Sequence, residues 1–198
     1  MSIEQKFILT GDLNFMGLGD AKHVFKRIRS ELRAADAVIS NLECCFFADE
    51  SKAENQSCTG HFYERSGQRE GFYAHPAAVK AMKAANITMV GNANNTNFGD
   101  EAIRSTIAVL NDQQIAFSGV GTNWEEACQP ALKTINGIRL GLIQRTSVYW
   151  PSNHEASASH PGVATVKIHT AYRPKIEGYA SNRPGTPPDL SLIHISEP

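Results

Sequence analysis

The chain has 198 residues, of which 41% are hydrophobic and 20% charged, and its formal net charge at pH 7 is −1. This length suffices for one domain with a buried core. A net charge near zero gives no sign of the basic surface with which proteins bind nucleic acids. No apolar run approaches the length of a membrane span, and the first predicted strand begins too close to the N-terminus for a signal peptide. We therefore expect a cytoplasmic protein with no membrane span and no nucleic-acid partner.

Strands and helices alternate along the N-terminal part of the chain. Short apolar segments predict strands, and the amphipathic segments between them predict helices. This alternation predicts parallel β-α-β units. In chain order, the predicted elements are a strand at Lys6–Thr10, a helix at Ala21–Ala35 capped by Asp20 and with Val24, Phe25, Ile28, Leu32 and Ala35 on its apolar side, a strand at Ala37–Ser40, a helix from Pro76 to Ala85, a strand at Ile87–Val90, a helix from Asp100, a strand at Ile115–Ser118 and a short helix capped by Asn123.

An antiparallel hairpin is predicted after these units. Asn136-Gly137 separates the apolar segments Ala131–Ile135 and Ile138–Gln144, and Asn-Gly between two such segments is the strongest short-range hairpin signal. The predicted fold class is therefore α/β, with a mixed sheet in which β-α-β units are followed by a hairpin.

Two stretches of the chain show little periodicity. Cys44–Gly71 is predicted to be a long loop over the sheet edge, and the proline-rich segment after Arg145 carries one predicted strand at Val163–Ile168. The cysteines are expected to be free thiols, because the chain has no CxxC spacing and no predicted export signal. They are Cys44, Cys45, Cys58 and Cys128.

Polar side chains follow three of the predicted strands. Asp12 comes directly after the first strand and Glu43 follows the second, while the third leads into the asparagines Asn92, Asn94 and Asn95. Because ligands bind at the carboxyl edge of open α/β sheets, we expect these side chains to converge there. Carboxylate and amide oxygens suit Mg²⁺ or Mn²⁺, and two such ions could clamp a phosphoryl group and activate water. The alternative is that these residues only stabilise turns, which Asp and Asn commonly do.

A set of short motifs in this order resembles the CapA family of bacterial capsule-synthesis proteins, which are linked to poly-γ-glutamate. The resemblance runs from about Phe7 through Pro188. It is carried by Thr10-Gly11-Asp12, Asn41-Leu42-Glu43, Ala93-Asn94-Asn95, Gly119-Val120-Gly121-Thr122-Asn123 and the hairpin from Pro130 to Leu142.

The resemblance implies a domain similar to calcineurin-like metallophosphoesterases, a two-sheet αββα sandwich of which this chain would be the N-terminal part. It implies that Asp12, Glu43 and Asn94 hold a divalent metal, Mn²⁺ or Mg²⁺, and that Asn94 and Asn95 have catalytic roles. The family often has Asn-Asn-His at the third motif, whereas this chain has Thr96. Family members are often membrane-associated, and further metal-binding histidines come from the second half of such domains, so the site in this chain is expected to be incomplete.

The segment from Leu190 to Pro198 resembles translated sequencing-adapter read-through. We therefore expect a partial CapA-like domain at residues 1–188 and an artefactual tail at 189–198. Three functional hypotheses follow: a metal-dependent phosphoesterase acting on a small molecule or on a polymer such as polyglutamate, a non-catalytic component that binds the polymer or a partner, and an inactive truncated fragment.

Overall fold

The computed structural model describes residues 4–18, 20–48, 73–149, 155–173 and 190–196. The chain divides into two compact units, Met1–Thr165 and Val166–Pro198. The strands are β1 (Phe7–Leu13), β2 (Ala37–Leu42), β3 (Cys45–Phe46), β4 (Tyr73–Ala74), β5 (Ile87–Gly91), β6 (Ala116–Ser118), β7 (Val120–Gly121), β8 (Ala131–Ile135), β9 (Ile138–Leu142), β10 (Gly162–Val163), β11 (Lys167–Arg173) and β12 (Leu190–Ser196). The helices are α1 (Arg29–Arg33), α2 (Val79–Ala84), α3 (Asp100–Asp112) and α4 (Trp124–Ala127), with single 3-10 turns at Ala21–His23 and Pro76–Ala78.

A four-stranded sheet in the order β1-β2-β5-β6 forms the centre of the first unit. All three of its strand pairs are parallel, as the alternation of strands and helices predicts. Its inner strands are apolar on both faces, and Val38, Leu42 and Val90 are completely buried. Burial of each such side chain stabilises the fold by about 1.5–3 kcal/mol. The predicted α/β class with β-α-β units is therefore confirmed, and it is consistent with a metallophosphoesterase-like fold. In the described residues the sheet is parallel and not mixed as predicted, because the hairpin forms a separate two-stranded sheet.

The hairpin of β8 and β9 is also confirmed. Its strands pair from Ala131 with Leu142 to Ile135 with Ile138. Asn136 and Gly137 both have positive φ, at 47° and 84°, which is the backbone conformation of the type I′ turn that Asn-Gly favours. The Asn136 side chain also donates a 2.6 Å hydrogen bond from Nδ2 to Oδ1 of Asp36. This bond holds the turn at the amino end of β2.

The predicted continuous helix at Ala21–Ala35 is wrong. The backbone N–H groups of Val24, Lys26 and Ile28 donate to carbonyls three residues earlier, so successive 3-10 turns replace the first half of the helix. Ile28, with φ −122° and ψ 3°, lies outside the helical region and α1 begins after it. Val24 and Ile28 are consequently 43% and 49% exposed, whereas Phe25 is buried as expected.

Three other parts of the chain differ from the sequence expectation. Cys45–Phe46, predicted as loop, pairs in parallel with Tyr73–Ala74; the intervening residues 49–72, with Cys58, lie outside the described ones. The strand predicted at Val163–Ile168 is divided between β10 and β11. In the second unit, β11 pairs antiparallel with β12, which lies in the predicted tail.

Two larger buried apolar clusters, and a small third one of Ala127, Ala156 and Ala164, lie in the described part of the first unit. The largest joins Phe15, Phe25, Leu42 and Met82 with other residues of α1, α2 and the sheet. The second joins Cys45, Ile103 on α3, Val120 and Val163. Within the described residues, no helix combines the length and the apolar character needed to cross a bilayer.

Candidate functional site

The strand register places one residue of each sheet strand in a single row at the carboxyl edge. Asp12 pairs with Asn41, Asn41 with Gly91, and Gly91 with Ser118. The register between β1 and β2 shifts between Leu9 and Asp12. This irregularity gives β1 one extra residue, and such bulges redirect the side chains that follow them. It brings Asp12, and not the preceding glycine, opposite Asn41.

Asp12 and Asn41 are joined by a short hydrogen bond. Asn41 donates from Nδ2 to Oδ1 of Asp12 at 2.7 Å, which is the length of a charge-assisted bond to a carboxylate. A backbone hydrogen bond also joins the end of β2 to the end of β1, because the N–H of Glu43 donates to the carbonyl of Leu13 at 2.8 Å. Asp12 and Glu43 are thus held on neighbouring strand ends.

The surroundings of Glu43, including the charge of Asp12, change the pKa of Glu43. Partial burial raises the pKa of Glu43, and the charge of Asp12 raises this pKa further. Both effects disfavour the ionised form of Glu43. A cation bound between Asp12 and Glu43 would offset the repulsion, which makes this pair the electrostatic centre of the candidate site.

Asn94 is held by hydrogen bonds on both atoms of its amide. Its Oδ1 accepts from the N–H of Thr96 at 3.1 Å and from the hydroxyl of Thr96 at 2.7 Å. Its Nδ2 donates to the carbonyl of Leu42 at 2.9 Å and to Oδ1 of Asn41 at 3.3 Å. Asn94 is 7% exposed, so this amide connects the loop after β5 to the end of β2. Asn95 beside it is exposed.

Two further asparagines lie buried in the same loop. Asn97 donates from Nδ2 to the carbonyls of Leu42 and Asn92, both at 2.9 Å, and adds a second connection to the end of β2. Asn92 is completely buried, and within the described residues its side-chain nitrogen and oxygen have no hydrogen-bond partner.

Gln144 reaches the site from the residues after the hairpin. Its Nε2 donates to Oδ1 of Asn41 at 2.9 Å, and its Oε1 accepts from the N–H of Ala93 at 2.8 Å. The space for this side chain exists because residue 91 is glycine: a Cβ there would lie 2.5 Å from Cδ of Gln144. Gln144 therefore connects the β2 end to the loop after β5.

The structure brings the predicted site residues Asp12, Glu43 and Asn94 to one edge of the sheet, with Asn95 on the adjoining surface. Their roles as metal ligands or catalytic groups stay predictions. Asn41 and Gln144 are central to the hydrogen-bond network, but the sequence pattern did not single them out. Asn41 could have been found from its position in the Asn-Leu-Glu motif, because it lies two residues before the carboxylate that the pattern favours.

A divalent cation such as Mg²⁺ requires several oxygen ligands around one point. Among the described residues, no three or more His, Cys, Asp or Glu side chains are grouped to hold a metal ion. Asp12 and Glu43 nevertheless lie on neighbouring strand ends, and carboxylate oxygens are hard donors that suit such cations. The oxygen of Asn94 already accepts two bonds from Thr96. The described residues therefore supply two carboxylates on neighbouring strand ends, and the binding of Mg²⁺ or Mn²⁺ by them stays a prediction.

A family model and a relative both match this chain. The family described as "Bacterial capsule synthesis protein PGA_cap" matches residues 5–187. The chain is also similar to a protein of Bacillus anthracis named "Capsule biosynthesis protein CapA", with 23% identity over 129 residues. That alignment covers 64% of this chain and 29% of the relative, so the chain corresponds to less than a third of the relative's length.

Proposed function

Because the chain belongs to the bacterial capsule synthesis protein family, we propose that it acts in capsule biosynthesis through a divalent-cation site of the phosphoesterase type. The observation that carries the proposal is the pair of carboxylates on neighbouring strand ends, where partial burial and, after it, the charge of Asp12 raise the pKa of Glu43. Both effects disfavour the ionised form of Glu43, and a cation bound near it would favour that form. The carboxyl edge of a parallel sheet is also where α/β proteins bind ligands.

Each residue of the site has a role in this proposal. Asp12 and Glu43 would hold Mn²⁺ or Mg²⁺, which when bound supplies Lewis-acid catalysis and lowers the pKa of water. Asn41 orients Asp12 through the 2.7 Å bond. Asn94 fixes the loop after β5 against the end of β2, and Asn95, exposed on that loop, orients a phosphoryl oxygen of the substrate.

The substrate class follows from the family and from the exposed position of the site. A capsule is a polymer, and the proposed substrate is a phosphoester on a capsule precursor or on the polymer-forming machinery. Poly-γ-glutamate is the polymer that the family resemblance favours. The site is open to solvent at Asp12 and Asn95, which would allow a large substrate to reach it.

The test is hydrolysis of p-nitrophenyl phosphate by the full-length protein with and without Mn²⁺. We expect activity that requires the metal and that Asp12→Ala removes, whereas Asp112→Ala, which removes an exposed carboxylate at the end of α3, leaves activity intact. Equal activity of Asp12→Ala and the wild-type protein would disprove a role for this carboxylate.

A second candidate function is a non-catalytic component that binds the capsule polymer or a partner. Thr96 favours it, because this residue stands where the resemblance implies a histidine and its side chain instead holds Asn94. Calorimetric binding of Mn²⁺ without turnover of phosphate esters would support this function over the enzyme. An inactive fragment would show neither binding nor turnover.

A further inference from the structure

Gln144 has no role in the predicted site, yet it forms hydrogen bonds with two of the site's segments. It donates to Asn41 and accepts from Ala93, which are respectively 103 and 51 residues away in the chain. A glutamine that uses both ends of its amide in this way fixes the orientation of each group that it contacts.

The orientation of Asn41 depends on this contact. Asn41 can stabilise the Asp12 carboxylate only when its Nδ2 faces Asp12, which requires its Oδ1 to face the opposite side. On that side Oδ1 accepts from Gln144 at 2.9 Å and from Asn94 at 3.3 Å. The bond from Gln144 is the shorter of the two. Without it, the Asn41 amide loses its better-placed donor and can rotate away from Asp12.

The amide of Gln144 occupies space that is free because residue 91 is a glycine. Gly91 lies between Asn41 and Ser118 in the sheet row, and a Cβ there would lie 2.5 Å from Cδ and 2.9 Å from Nε2 of Gln144. Such distances are too short for real contacts, so any larger residue would displace the end of the Gln144 side chain. Glycine inside a buried strand usually marks a close approach of this kind.

We propose that Gln144 is a positioning residue, which orients the Asn41 amide toward Asp12 and so prepares the carboxylate to bind a divalent cation. One part of this inference, the binding of a cation by Asp12, rests on the proposed function. The hydrogen-bond relay from Gln144 through Asn41 to Asp12 is a property of the protein itself. Groups that orient a metal-binding carboxylate typically change metal affinity 10–100-fold when they are removed.

The first test measures Mn²⁺ affinity by titration calorimetry. We expect Gln144→Met, which keeps the length of the side chain, to weaken Mn²⁺ binding roughly tenfold or more. Gly91→Ala should weaken it similarly, because the added methyl displaces a chemically intact Gln144. In an Asn41→Ala background, Gln144→Met should cause no further loss of Mn²⁺ affinity, because the effects of two substitutions that break the same contact do not add. A full additional loss in that background would overturn the proposal.

A control separates positioning from general destabilisation. Thr106 is completely buried on α3, accepts a hydrogen bond from Phe46 N–H and donates one to the carbonyl of Ala102. Thr106→Val removes these bonds away from the site. We expect it to lower the melting temperature without weakening Mn²⁺ binding. If Thr106→Val weakens binding as much as Gln144→Met, the effect of Gln144 is structural and the inference fails.

A second readout requires no metal. NMR exchange of the side-chain amide protons should be slow for Asn41 in the wild-type protein and faster in both Gln144→Met and Gly91→Ala, while the Asn97 amide is unchanged. Unchanged Asn41 exchange would overturn the inference whatever the metal affinity. If the wild-type protein binds no Mn²⁺ but Asn41 exchange responds as expected, the proposed function fails and the hydrogen-bond relay stands.

Discussion

Cys45 is a thiol that the fold keeps protonated. Burial raises its pKa to about 12, and hydrogen bonds to Thr106 and to the backbone of Phe98 only partly oppose this shift. The folded protein therefore holds this proton at pH values where the unfolded chain, with an ordinary pKa of 9.0, releases it. The stability that results is fully present below about pH 9 and is lost as the pH rises toward about 12.

We predict that the free energy of unfolding falls with pH in this window by up to about 1.4 kcal/mol per unit because of Cys45 alone. Urea unfolding of the wild-type protein and of Cys45→Ala at several alkaline pH values checks this. Lysines and tyrosines also titrate in this range. The contribution of Cys45 is therefore the difference between the wild-type protein and Cys45→Ala in the slope of unfolding free energy against pH. Equal slopes would show that Cys45 does not contribute.

Glu43 should reduce stability in the absence of metal. Burial and the charge of Asp12 raise its pKa, so the folded state becomes more stable as the pH falls through this raised pKa. Glu43→Gln mimics the protonated form. We expect it to stabilise the metal-free protein by less than about 1 kcal/mol, because the group is only partly buried, and to weaken Mn²⁺ binding. Thermal melts with and without Mn²⁺ check both effects, and a loss of stability without metal would contradict the prediction.

The sequence predicted the carboxylates of the site but not the amides that orient them. Asp12 and Glu43 could be found because each lies within three residues of the end of a predicted apolar strand. The hydrogen bonds of Asn41 could not be predicted, because they depend on a bulge in β1 that shifts the register by one residue. Gln144 could not be found either, since its contact with Asn41 depends on where the hairpin lies against the sheet.

At the scale of single elements, α4 depends on its N-terminal cap. Asn123 accepts a hydrogen bond from Glu126 N–H at 2.9 Å, and the Glu126 carboxylate accepts from the N–H of Thr122 at 2.9 Å. Bonds from Thr122 lower the pKa of Glu126. Asn123 thus satisfies one N–H that the first turn of a helix leaves free, and Glu126 fixes the residue before the cap against the helix.

We predict that Asn123→Ala lowers the free energy of unfolding by about 1 kcal/mol, because the cap hydrogen bond is lost. Asn111→Ala is the matched control, since Asn111 is exposed inside α3, where alanine is the better helix former. Chemical denaturation measures both variants. A cost for Asn111→Ala equal to that for Asn123→Ala would show that the cap has no special effect.

The cap at Asn123 was predictable and the break in the Ala21–Ala35 helix was not, for a physical reason. A cap depends on a side chain and on backbone groups within three residues, so the local sequence determines it. The apolar spacing of Val24, Phe25 and Ile28 fits a helix equally well, but packing buries Phe25 and leaves the other two exposed. Tertiary contacts decide between these local structures.

At the scale of the whole molecule, β1 is an outer strand of the four-stranded sheet and carries an exposed apolar side chain. β1 has β2 as its one neighbour in the described four-stranded sheet, and Leu9 on β1 is 76% exposed. Outer strands with exposed apolar side chains favour pairing with other chains, and an added lysine opposes it.

We predict that Leu9→Lys reduces association of the protein and changes the free energy of unfolding by less than about 0.5 kcal/mol. Light scattering over a concentration series measures the association. Val24→Lys adds the same charge at a position that is 43% exposed outside the sheet and should reduce association less. Equal effects of the two variants would point to net charge and not to the outer strand.

The hairpin and the residue Gln144 after it bond to the sheet near opposite ends of β2. Asn136 in its turn bonds to Asp36 at the amino end of β2, and Gln144 bonds to Asn41 near the carboxyl end. The number of residues between these two contacts is therefore constrained. One residue inserted within β9 would move Gln144 by about 3.3 Å and turn its side chain to the opposite face, whereas residues inserted elsewhere on the surface would leave both contacts intact. Across related chains, this segment should vary in sequence but keep its length.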